Sequence, residues 1–460
     1  MNRRAFVRGA GLLAASPMFS WRGRAAALGF PEVRPAVGQR HFRSRAVEAA
    51  IAAFGQRVPD AELAWLFGNC LPAALDTAVV PGTHLGRPDT YVGTGPAHVM
   101  GLRESAAQVW PYLAFVQQDA PLRQLVAGVI NRQTRCILLD PYASAFAQNS
   151  AGQPAVHERQ WALDALCHPI RLAYHYWKIT ADEQPFDEQW RQAIALTVKT
   201  FREQQRKTGP GPYRFQQATA DAAGTQPLGG YGYPVRPVGL IGSAFRPSGE
   251  ATRLPFLVPS NFLAVASLRQ AALMLNDIHH DGAAYQDLMA LADEVAVALR
   301  THALVAHPVH GQVYAFEVDG YGGYALLDDA SVPSLLALPY LGALPLNDPA
   351  YQRTRRLALS AGNPFFYQGP AGAGIGSPRT GPGSLWPSSL IVRGLTSPDD
   401  AEVRQCVQAL KAAQAGTGYL PESLPVGGPG PLPRAQSAAA SALLGEFLWK
   451  LYQERPALLG

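Results

Sequence analysis

The amino-acid sequence predicts a mostly α-helical protein built as one large domain. Apolar residues recur at helical spacing in most of the long segments, and the hydrophobic share of 48% is sufficient for a large core. No fixed-period repeat or low-complexity linker divides the 460 residues. The 44 glycines and 39 prolines cluster in stretches such as 369–383 and 424–433, which indicates long, shaped loops between the helices.

Segments with helical periodicity occur along the whole chain. In order, they lie near residues 44–54, 104–118, 121–134, 158–178, 186–205, 260–277, 283–303, 402–414 and 436–452. In the eighth segment Val403, Cys406 and Val407 fall at i, i+3 and i+4. The preceding run 397–400, Ser-Pro-Asp-Asp, predicts the start of that helix, with the serine as its cap and the acids facing the positive helix end.

One region has a different pattern. Residues 312–327 carry β-branched and aromatic residues on both sides of Asp319-Gly320, a dipeptide that favours tight turns. This pattern predicts a small β-hairpin inserted among the helices. Helical hairpins joined by variable loops suit a ring arrangement, but periodicity by itself predicts only a mostly α single domain.

The N-terminus has the pattern of an export signal. Arg3-Arg4 precedes a modestly apolar stretch at 11–19, and Ala25-Ala26-Ala27 offers a small-residue cleavage site. Adjacent arginines are typical of twin-arginine export, which carries folded proteins. The alternative is a disordered basic tail. We expect residues 1–27 to be a signal peptide recognised by the export machinery, and residues 28–460 to form a single periplasmic or secreted domain.

The charge distribution argues against nucleic acid as a partner. The formal charge of +5 equals the five arginines within residues 1–27, a segment without any acidic residue. The remaining chain is therefore neutral and has no basic excess to follow phosphates. Apolar runs of 18 residues are absent outside the N-terminal segment, so we expect no membrane span.

Several residue patterns argue against a metal or cofactor site. The cysteines show no CxxC spacing, so a structural zinc site is not predicted, and each is expected to be a small buried hydrophobe; they are Cys70, Cys136, Cys167 and Cys406. An oxidising compartment would permit a disulfide, but the spacing does not say which pair. The glycine-rich run 372–377 lacks the spacing of a dinucleotide loop. His279-His280-Asp281 fits polar residues at a helix end.

A series of longer motifs runs through the chain in a fixed order. They are CLPAALDTAV (70–79), DTYVGTGPAHVMGLRES (89–105), DPYASAF (140–146), LDALCHPIRLAYHYWK (163–178), RPVGLIGSAFRPSGE (236–250), VPSNFLAVASL (258–268), LLDDASVPSLLALPYLG (326–342), GIGSP (374–378) and GTGYLPES (416–423). Together they resemble glycoside hydrolase family 125, the metal-independent exo-α-mannosidases, over nearly all of residues 60–455. The resemblance implies an (α/α)6 barrel whose site is formed by loops at one end. It also implies hydrolysis of α-1,6-linked mannose with inversion of configuration.

The candidate general acid is Glu250. An inverting glycosidase needs one carboxyl group to protonate the leaving oxygen and a second to activate water. Residues 245–250, Phe-Arg-Pro-Ser-Gly-Glu, match the family's FRPSDD, in which one of the two acidic positions is expected to be the acid. If it is the second, Glu250 keeps the carboxyl group and adds one methylene. If it is the first, Gly249 removes it, and Glu250 could replace it only through a shifted loop.

The candidate general base is Glu422. Residues 421–423, Pro-Glu-Ser, align with the family's HES, whose glutamate is expected to activate water. Without the resemblance, a lone acid in a Gly/Pro-rich stretch would be interpreted as a solvated loop carboxylate.

Further polar residues in family-like runs are expected to bind sugar hydroxyls. They are Asp76, Arg103, Glu104, Asp140, Arg246, Asp328 and Asp329. Each alone also fits a structural salt bridge or helix cap, because ion-pair networks resemble functional sites. Arg103 and Glu104 are the strongest candidates of this set.

Three motifs near the expected pocket depart from the family. WLRDS is Gly101-Leu-Arg-Glu-Ser105 here, WFAWAN matches residues 436–441, and GDI matches Gly95-Pro96-Ala97. Aromatic rings commonly pack against sugar C–H surfaces, so their loss should widen the pocket or weaken sugar binding. The sequence therefore leaves two functions open: a hydrolase of α-mannosides or a related glycan, and a catalytically inactive sugar-binding protein with the same fold.

Overall fold

The computed structural model describes residues 29–93, 99–217, 224–428 and 437–460. The predicted signal peptide lies outside the described residues, as do Gly95-Pro96-Ala97 and Gln436. Within these ranges the helices are α1 (Arg45–Arg57), α2 (Ala61–Cys70), α3 (Ala73–Thr77), α4 (Leu102–Val109), α5 (Ala120–Leu139), α6 (Leu163–Thr180), α7 (Glu188–Gln204), α8 (Val258–His279), α9 (Gly282–His302), α10 (Pro349–Ala358), α11 (Pro387–Leu395), α12 (Asp400–Ala413) and α13 (Ala438–Glu454).

Short antiparallel strands lie in the segments between the helices. They are β1 (Val79–His84), β2 (Arg87–Val92), β3 (Met100–Gly101), β4 (Ala145–Gln148), β5 (Pro154–Glu158), β6 (Phe256–Leu257), β7 (Leu304–His307), β8 (Gly311–Tyr314), β9 (Glu317–Val318), β10 (Tyr324–Ala325), β11 (Phe366–Gly369), β12 (Gly372–Ile375), β13 (Ser384–Leu385) and β14 (Leu424–Pro425). In the described ranges they form small sheets with the orders β1-β2, β3-β4-β5, β6-β9-β10, β7-β8, β11-β12 and β13-β14.

The helices form an (α/α)6 barrel, as expected. An inner ring is traced by contacts from α11 to α13, from α13 to α4, from α4 to α6 and from α6 to α8. A mostly buried segment, residues 334–341, also joins this ring. The backbone oxygen of its Tyr340 accepts a hydrogen bond from Arg171 of α6, and the Tyr340 hydroxyl donates one to Glu446 of α13. Outside the ring, α9 packs on α8, α12 packs on α11, and α5 packs on α6 and α7.

The helical periodicity is confirmed by a helix at each of the nine predicted segments. The segment predicted at 104–118 is shorter than expected, since α4 ends at Val109 and a 3-10 turn with Pro111 follows. Helix α2 was not predicted because residues 63–70 are all buried, and a helix that is apolar on every side shows no stripe. Helix α12 is capped by Asp399, whose Oδ1 accepts from Ala401 N at 2.8 Å, and not by Ser397.

The predicted hairpin at 312–327 is two separate pairings. Strands β9 and β10 form the hairpin around Asp319-Gly320, but β8 pairs with the preceding β7. The chain changes partner at Ala315 and Phe316, whose amides donate to Ala303 O and Ala325 O respectively. The hairpin is therefore smaller than the sequence indicated, and β9 is free to pair also with β6, directly before α8.

Two other sequence expectations can be compared with the described residues. All four cysteines are buried and unpaired, as predicted. Asp281 caps the N-terminus of α9 by accepting from Ala284 N at 2.9 Å, which agrees with a helix-end role for the His279-His280-Asp281 run. In the described part of the chain, none of the helices combines the length and apolarity that a bilayer crossing requires.

Candidate active site

The loop that carries Glu250 is a tight turn joined to the start of an inner helix. Gly249 N donates to Arg246 O at 2.9 Å, with Pro247 at the second position of the turn, where its fixed φ is favoured. Arg246 N in turn donates to Glu250 O at 2.8 Å. Gly249 has a φ of +95°, so the turn itself explains glycine at this position. Residues 244 and 245 donate to Trp161 O, two residues before α6 begins.

A buried ion pair fixes this loop to the sheet beside it. Arg246 Nε lies 2.6 Å from Glu317 Oε1 of β9, and both side chains are almost fully buried. Burial opposes the charge of Arg246, but the carboxylate of Glu317 raises the pKa of the guanidinium above its usual value. Glu317 also accepts from the backbone amides of Arg253 and Leu254 at 3.3 and 3.2 Å. This pair occupies the Nε of Arg246, so the arginine positions the loop.

The carboxyl group of Glu250 points towards the interior and is linked to a second acid. Its Oε2 contacts Ser248 Oγ, which lies 2.9 Å from Asp329 Oδ2. Its Oε1 is buried and has no hydrogen-bond partner among the described residues. Asp329 is fully buried, and burial raises the pKa of its carboxyl group although Arg246 opposes the shift. Glu250 therefore has a defined orientation beside a second buried carboxyl group.

Asp328 has a different environment from its neighbour Asp329. Its two oxygens accept from Ala330 N at 2.7 Å and from Leu336 N at 2.8 Å. Burial, together with the charge of Asp329, raises the pKa of Asp328 to about 7. These contacts give Asp328 a structural role in the turn that leads into the buried segment 334–341, and its role as a sugar ligand stays a prediction.

Arg103 joins the first turns of the three inner helices α4, α6 and α8. Its Nε and Nη2 donate to Glu104 Oε1 at 3.0 and 2.5 Å, and its Nη1 donates to Asp164 Oδ2 at 2.8 Å. Ser260 Oγ of α8 lies 3.5 Å from the other oxygen of Asp164. Burial raises the pKa of Asp164 despite the neighbouring Arg103. Since Glu104 Oε2 makes no hydrogen bond within the described ranges, it is free to accept from a ligand.

Gly101 and Glu104 are structurally coupled. A Cβ atom on Gly101 would lie 2.0 Å from Glu104 Oε2 and 2.9 Å from its Cδ. The carboxyl group of Glu104 thus fills the space that any side chain at position 101 would enter. Gly101 and Glu104 are also the two positions at which this chain departs from WLRDS: the tryptophan is lost and the aspartate is replaced by the longer glutamate. The two departures therefore affect the same space in the structure.

Glu422 lies in a loop at the same end of the barrel. Two residues earlier, Leu420 is fully buried and accepts from Ser437 N at 3.0 Å, just before α13 begins. Two residues later, β14 pairs with β13, which precedes α11. Glu422 itself is exposed, and its carboxyl group has no hydrogen bond or ion pair to the described residues. The loop is anchored on both sides while the carboxyl group is open to solvent.

Arg379 lies beside the loop of Glu250, and its own loop leads to the strand that pairs next to Glu422. A Cβ atom on Gly249 would lie 2.9 Å from Arg379 Nη1, so this guanidinium lies directly beside the loop of Glu250. Arg379 belongs to the loop between β12 and β13, and β13 pairs with β14, next to Glu422. The structure therefore brings the loops of Glu250 and Glu422 to one end of the barrel, where α6, α8, α11 and α13 begin.

The remaining predicted ligands have evident structural partners. Asp76 pairs with Arg34, at 2.7 Å from Nε and 3.0 Å from Nη2, and lies 3.7 Å from Arg40 Nε. Asp140 ends α5, accepts from Tyr142 N at 2.9 Å and pairs with Arg159. For Asp76 and Asp140, binding of sugar hydroxyls stays a prediction.

Sequence reasoning missed four side chains that lie in or beside the site. They are Asp164, Ser248, Glu317 and Arg379. Asp164 lies in the quoted run 163–178 and Ser248 in the run 236–250, but neither was selected, because a buried acid and a lone serine give no periodic signal. Arg379 and Glu317 lie outside the matched motifs, and only tertiary structure brings them to the site.

A groove on the outer wall is separate from this site. Its volume is about 620 Å³ and it lies between α7 and α9. The charged residues in it form ion pairs such as Arg191–Asp281 and Arg202–Asp287. It contains none of the candidate catalytic residues.

Comparison with known proteins supports one family. The profile described as metal-independent α-mannosidase, GH125, matches residues 60–449. The meiotically up-regulated gene 157 protein of Schizosaccharomyces pombe is 36% identical over 463 residues, covering 94% of this chain and 90% of that protein. A metal-independent α-mannosidase of Streptococcus pneumoniae, solved in a non-productive complex with α-1,6-mannobiose, is 33% identical. The match covers 90% of this chain and 100% of the other, with a TM-score of 0.86.

More distant structures share only the fold. A bacterial glucoamylase solved with acarbose superposes with a TM-score of 0.54 at 16% identity, covering 86% of this chain and 57% of the glucoamylase.

Proposed function

This chain belongs to the GH125 family of metal-independent α-mannosidases, and on that premise we propose that it hydrolyses α-1,6-linked mannosides with inversion, using Glu250 as the general acid and Glu422 as the general base. The chain is a glycoside hydrolase that acts on α-mannosides. The linkage, the stereochemistry and the two residues are the proposed part. The α-1,6 linkage is taken from mannobiose, the ligand of the Streptococcus pneumoniae relative.

The observation that carries the assignment is the setting of Glu250. Its carboxyl group is directed towards buried Ser248 and Asp329 and not into bulk solvent. A carboxyl group that must arrive protonated benefits from a neighbouring acid, because two adjacent carboxylates resist simultaneous ionisation. This supports Glu250 as the proton source even though Gly249 replaces one of the family's two acidic positions.

In the proposed reaction, Glu250 donates its proton to the glycosidic oxygen as the bond to the anomeric carbon breaks. Glu422 accepts a proton from a water molecule whose oxygen attacks that carbon from the opposite face. Arg103 holds Glu104 in place, and the free oxygen of Glu104 accepts a hydrogen bond from a sugar hydroxyl. Sugar contacts by Asp76, Asp140, Arg246, Asp328 and Asp329 belong to the same proposal.

The test is the hydrolysis of α-1,6-mannobiose, followed by NMR from the first seconds. We expect β-mannose to appear first and to mutarotate later, because inversion of an α-linkage gives the β-anomer. Initial release of α-mannose would overturn the inverting mechanism. Saturable binding without turnover of this or other α-mannosides would favour the sugar-binding alternative.

We also propose that residues 1–27 direct export of a folded 28–460 domain through the twin-arginine route. The arginine pair, the apolar stretch and the alanine triplet support this. Replacing Arg3 and Arg4 with lysine should retain the protein in the cytoplasm at unchanged total amount. Equal export of both forms would contradict the twin-arginine route.

A further inference from the structure

Ser248 lies between two carboxyl groups, and its hydrogen count constrains their protonation. Its Oγ is in hydrogen-bonding contact with Glu250 Oε2 on one side and is 2.9 Å from Asp329 Oδ2 on the other. A serine hydroxyl carries one hydrogen, so it can donate to only one of these oxygens. If both contacts are hydrogen bonds, the other carboxyl group is protonated and donates to Oγ.

We propose that Glu250, Ser248 and Asp329 form a relay that holds one extra proton, with Ser248 and Asp329 as positioning residues for the general acid. The inference rests on the proposed role of Glu250. The relay has two arrangements. In the first, protonated Glu250 donates a hydrogen bond to Ser248, which donates to the Asp329 carboxylate; in the second, protonated Asp329 donates to Ser248, which donates to the Glu250 carboxylate. The concerted transfer of two hydrogens converts one arrangement into the other.

The charges around the relay favour retention of that proton. Arg246 faces both acids, but its Nε is paired with the buried Glu317 at 2.6 Å. Asp328 adds a further carboxyl group next to Asp329, and Arg379, beside Gly249, is exposed. The charge of Arg246 is therefore shared by Glu317, Asp329 and Glu250, and a shared proton lowers the repulsion among these carboxyl groups. Burial also raises the pKa of Asp329.

The relay gives a balanced catalytic cycle. Glu250 transfers its proton to the leaving oxygen, which takes the electron pair of the broken C–O bond. The attacking water forms the new C–O bond and gives its proton to Glu422. The relay then regains a proton from solvent at the half-buried Glu250, while Glu422 releases one, so the net reaction consumes only water.

The pH dependence of hydrolysis tests the relay. Ser248→Ala removes the bridge and Asp329→Asn removes its second carboxyl group, so in each the proton should be held less tightly. We expect the alkaline limb of the kcat/KM profile to move about one pH unit or more towards acid in both variants. The matched control is Thr252→Val, which removes a buried hydroxyl from the same loop that donates only to backbone oxygens. A merely structural role would lower activity in all three variants without moving the limb.

An activity-independent measurement separates this proposal from the assignment of function. Infrared spectra at pH 7 should show, beyond the contribution of Asp328, a protonated-carboxyl band in the wild type that is lost in Glu250→Gln and equally in Asp329→Asn. Loss in both single variants indicates a shared proton, even if no α-mannoside is hydrolysed. Loss in only one variant, or in neither, would overturn the relay, while turnover with inversion would leave the proposed function standing.

Discussion

The two candidate catalytic acids lie in opposite kinds of environment. Glu250 contacts the buried Ser248, which in turn contacts Asp329, and the loop of Glu250 is fixed by the buried Arg246–Glu317 pair. Glu422 is exposed and its carboxyl group has no partner within the described ranges, although its loop is anchored by the buried Leu420 and by backbone hydrogen bonds. The difference matches the two tasks. A general acid must retain its proton and a fixed orientation towards the leaving oxygen, while a general base needs a charged carboxylate and access to water.

The first prediction compares the loss of stability when a side chain is removed from each of the two loops. Arg246→Met leaves Glu317 as an uncompensated buried charge, which should lower the free energy of unfolding by about 3–5 kcal/mol. The matched change beside Glu422 is Ser423→Ala, expected within about 0.5 kcal/mol of the wild type because the half-buried Ser423 has no side-chain partner in the described ranges. Denaturant unfolding measures both. Equal losses would show that the Glu422 loop is supported as strongly as the Glu250 loop.

The second prediction concerns the pH dependence of folding stability that arises from Asp328, next to the Glu250 network. The pKa of Asp328 is about 7 in the folded protein, above its ordinary value of 3.8. Between these two pH values the folded state binds more protons than the unfolded state, so stability falls as pH rises. The loss approaches about 4 kcal/mol once pH passes 7. Asp328→Asn should flatten the pH 4–7 slope of the unfolding free energy. An unchanged slope would contradict this.

The third prediction compares glycines in the two loops. Gly249→Ala places a side chain at a φ of +95° and 2.9 Å from Arg379, and should cost about 1–3 kcal/mol of stability. A Cβ atom in Gly427→Ala, near Glu422, meets no atom of the described residues within 4 Å, and this change should alter stability by less than about 0.5 kcal/mol. Thermal unfolding separates them. If both variants unfold at the wild-type temperature, the tight turn at Arg246–Gly249 does not constrain the acid loop.

The smallest effect is expected at the Gly101–Glu104 pair. Gly101→Ala displaces the carboxyl group of Glu104, which is a flexible side chain, so KM should rise about tenfold while stability changes little. Adding Glu104→Asp shortens the acid and should recover part of the loss. Steady-state kinetics on α-1,6-mannobiose provides the comparison. Additive losses in the double variant would show that the two positions are independent.

The same contrast explains how far the sequence could predict the site. Nine of the helices followed from periodicity, and the barrel and both catalytic candidates followed from the family resemblance. Ser248, although printed within the FRPSGE run, could not be recognised, because its importance lies in contacts with Glu250 and with Asp329, 81 residues further along the chain. The hairpin predicted at 312–327 is smaller than expected because β8 pairs with the preceding β7, and because β9 also pairs with β6, about 60 residues earlier in the chain.

The most direct test of the account is the dependence of two variants on the leaving group. With 2,4-dinitrophenyl α-mannoside, whose leaving group departs without a proton, Glu250→Gln should keep kcat/KM within about tenfold of the wild type. With α-1,6-mannobiose it should lose about 10²–10⁴-fold. Glu422→Gln, which removes the activation of water, should lose about 10²–10⁴-fold on both substrates. Equal losses of Glu250→Gln on the two substrates would contradict its role as the proton donor.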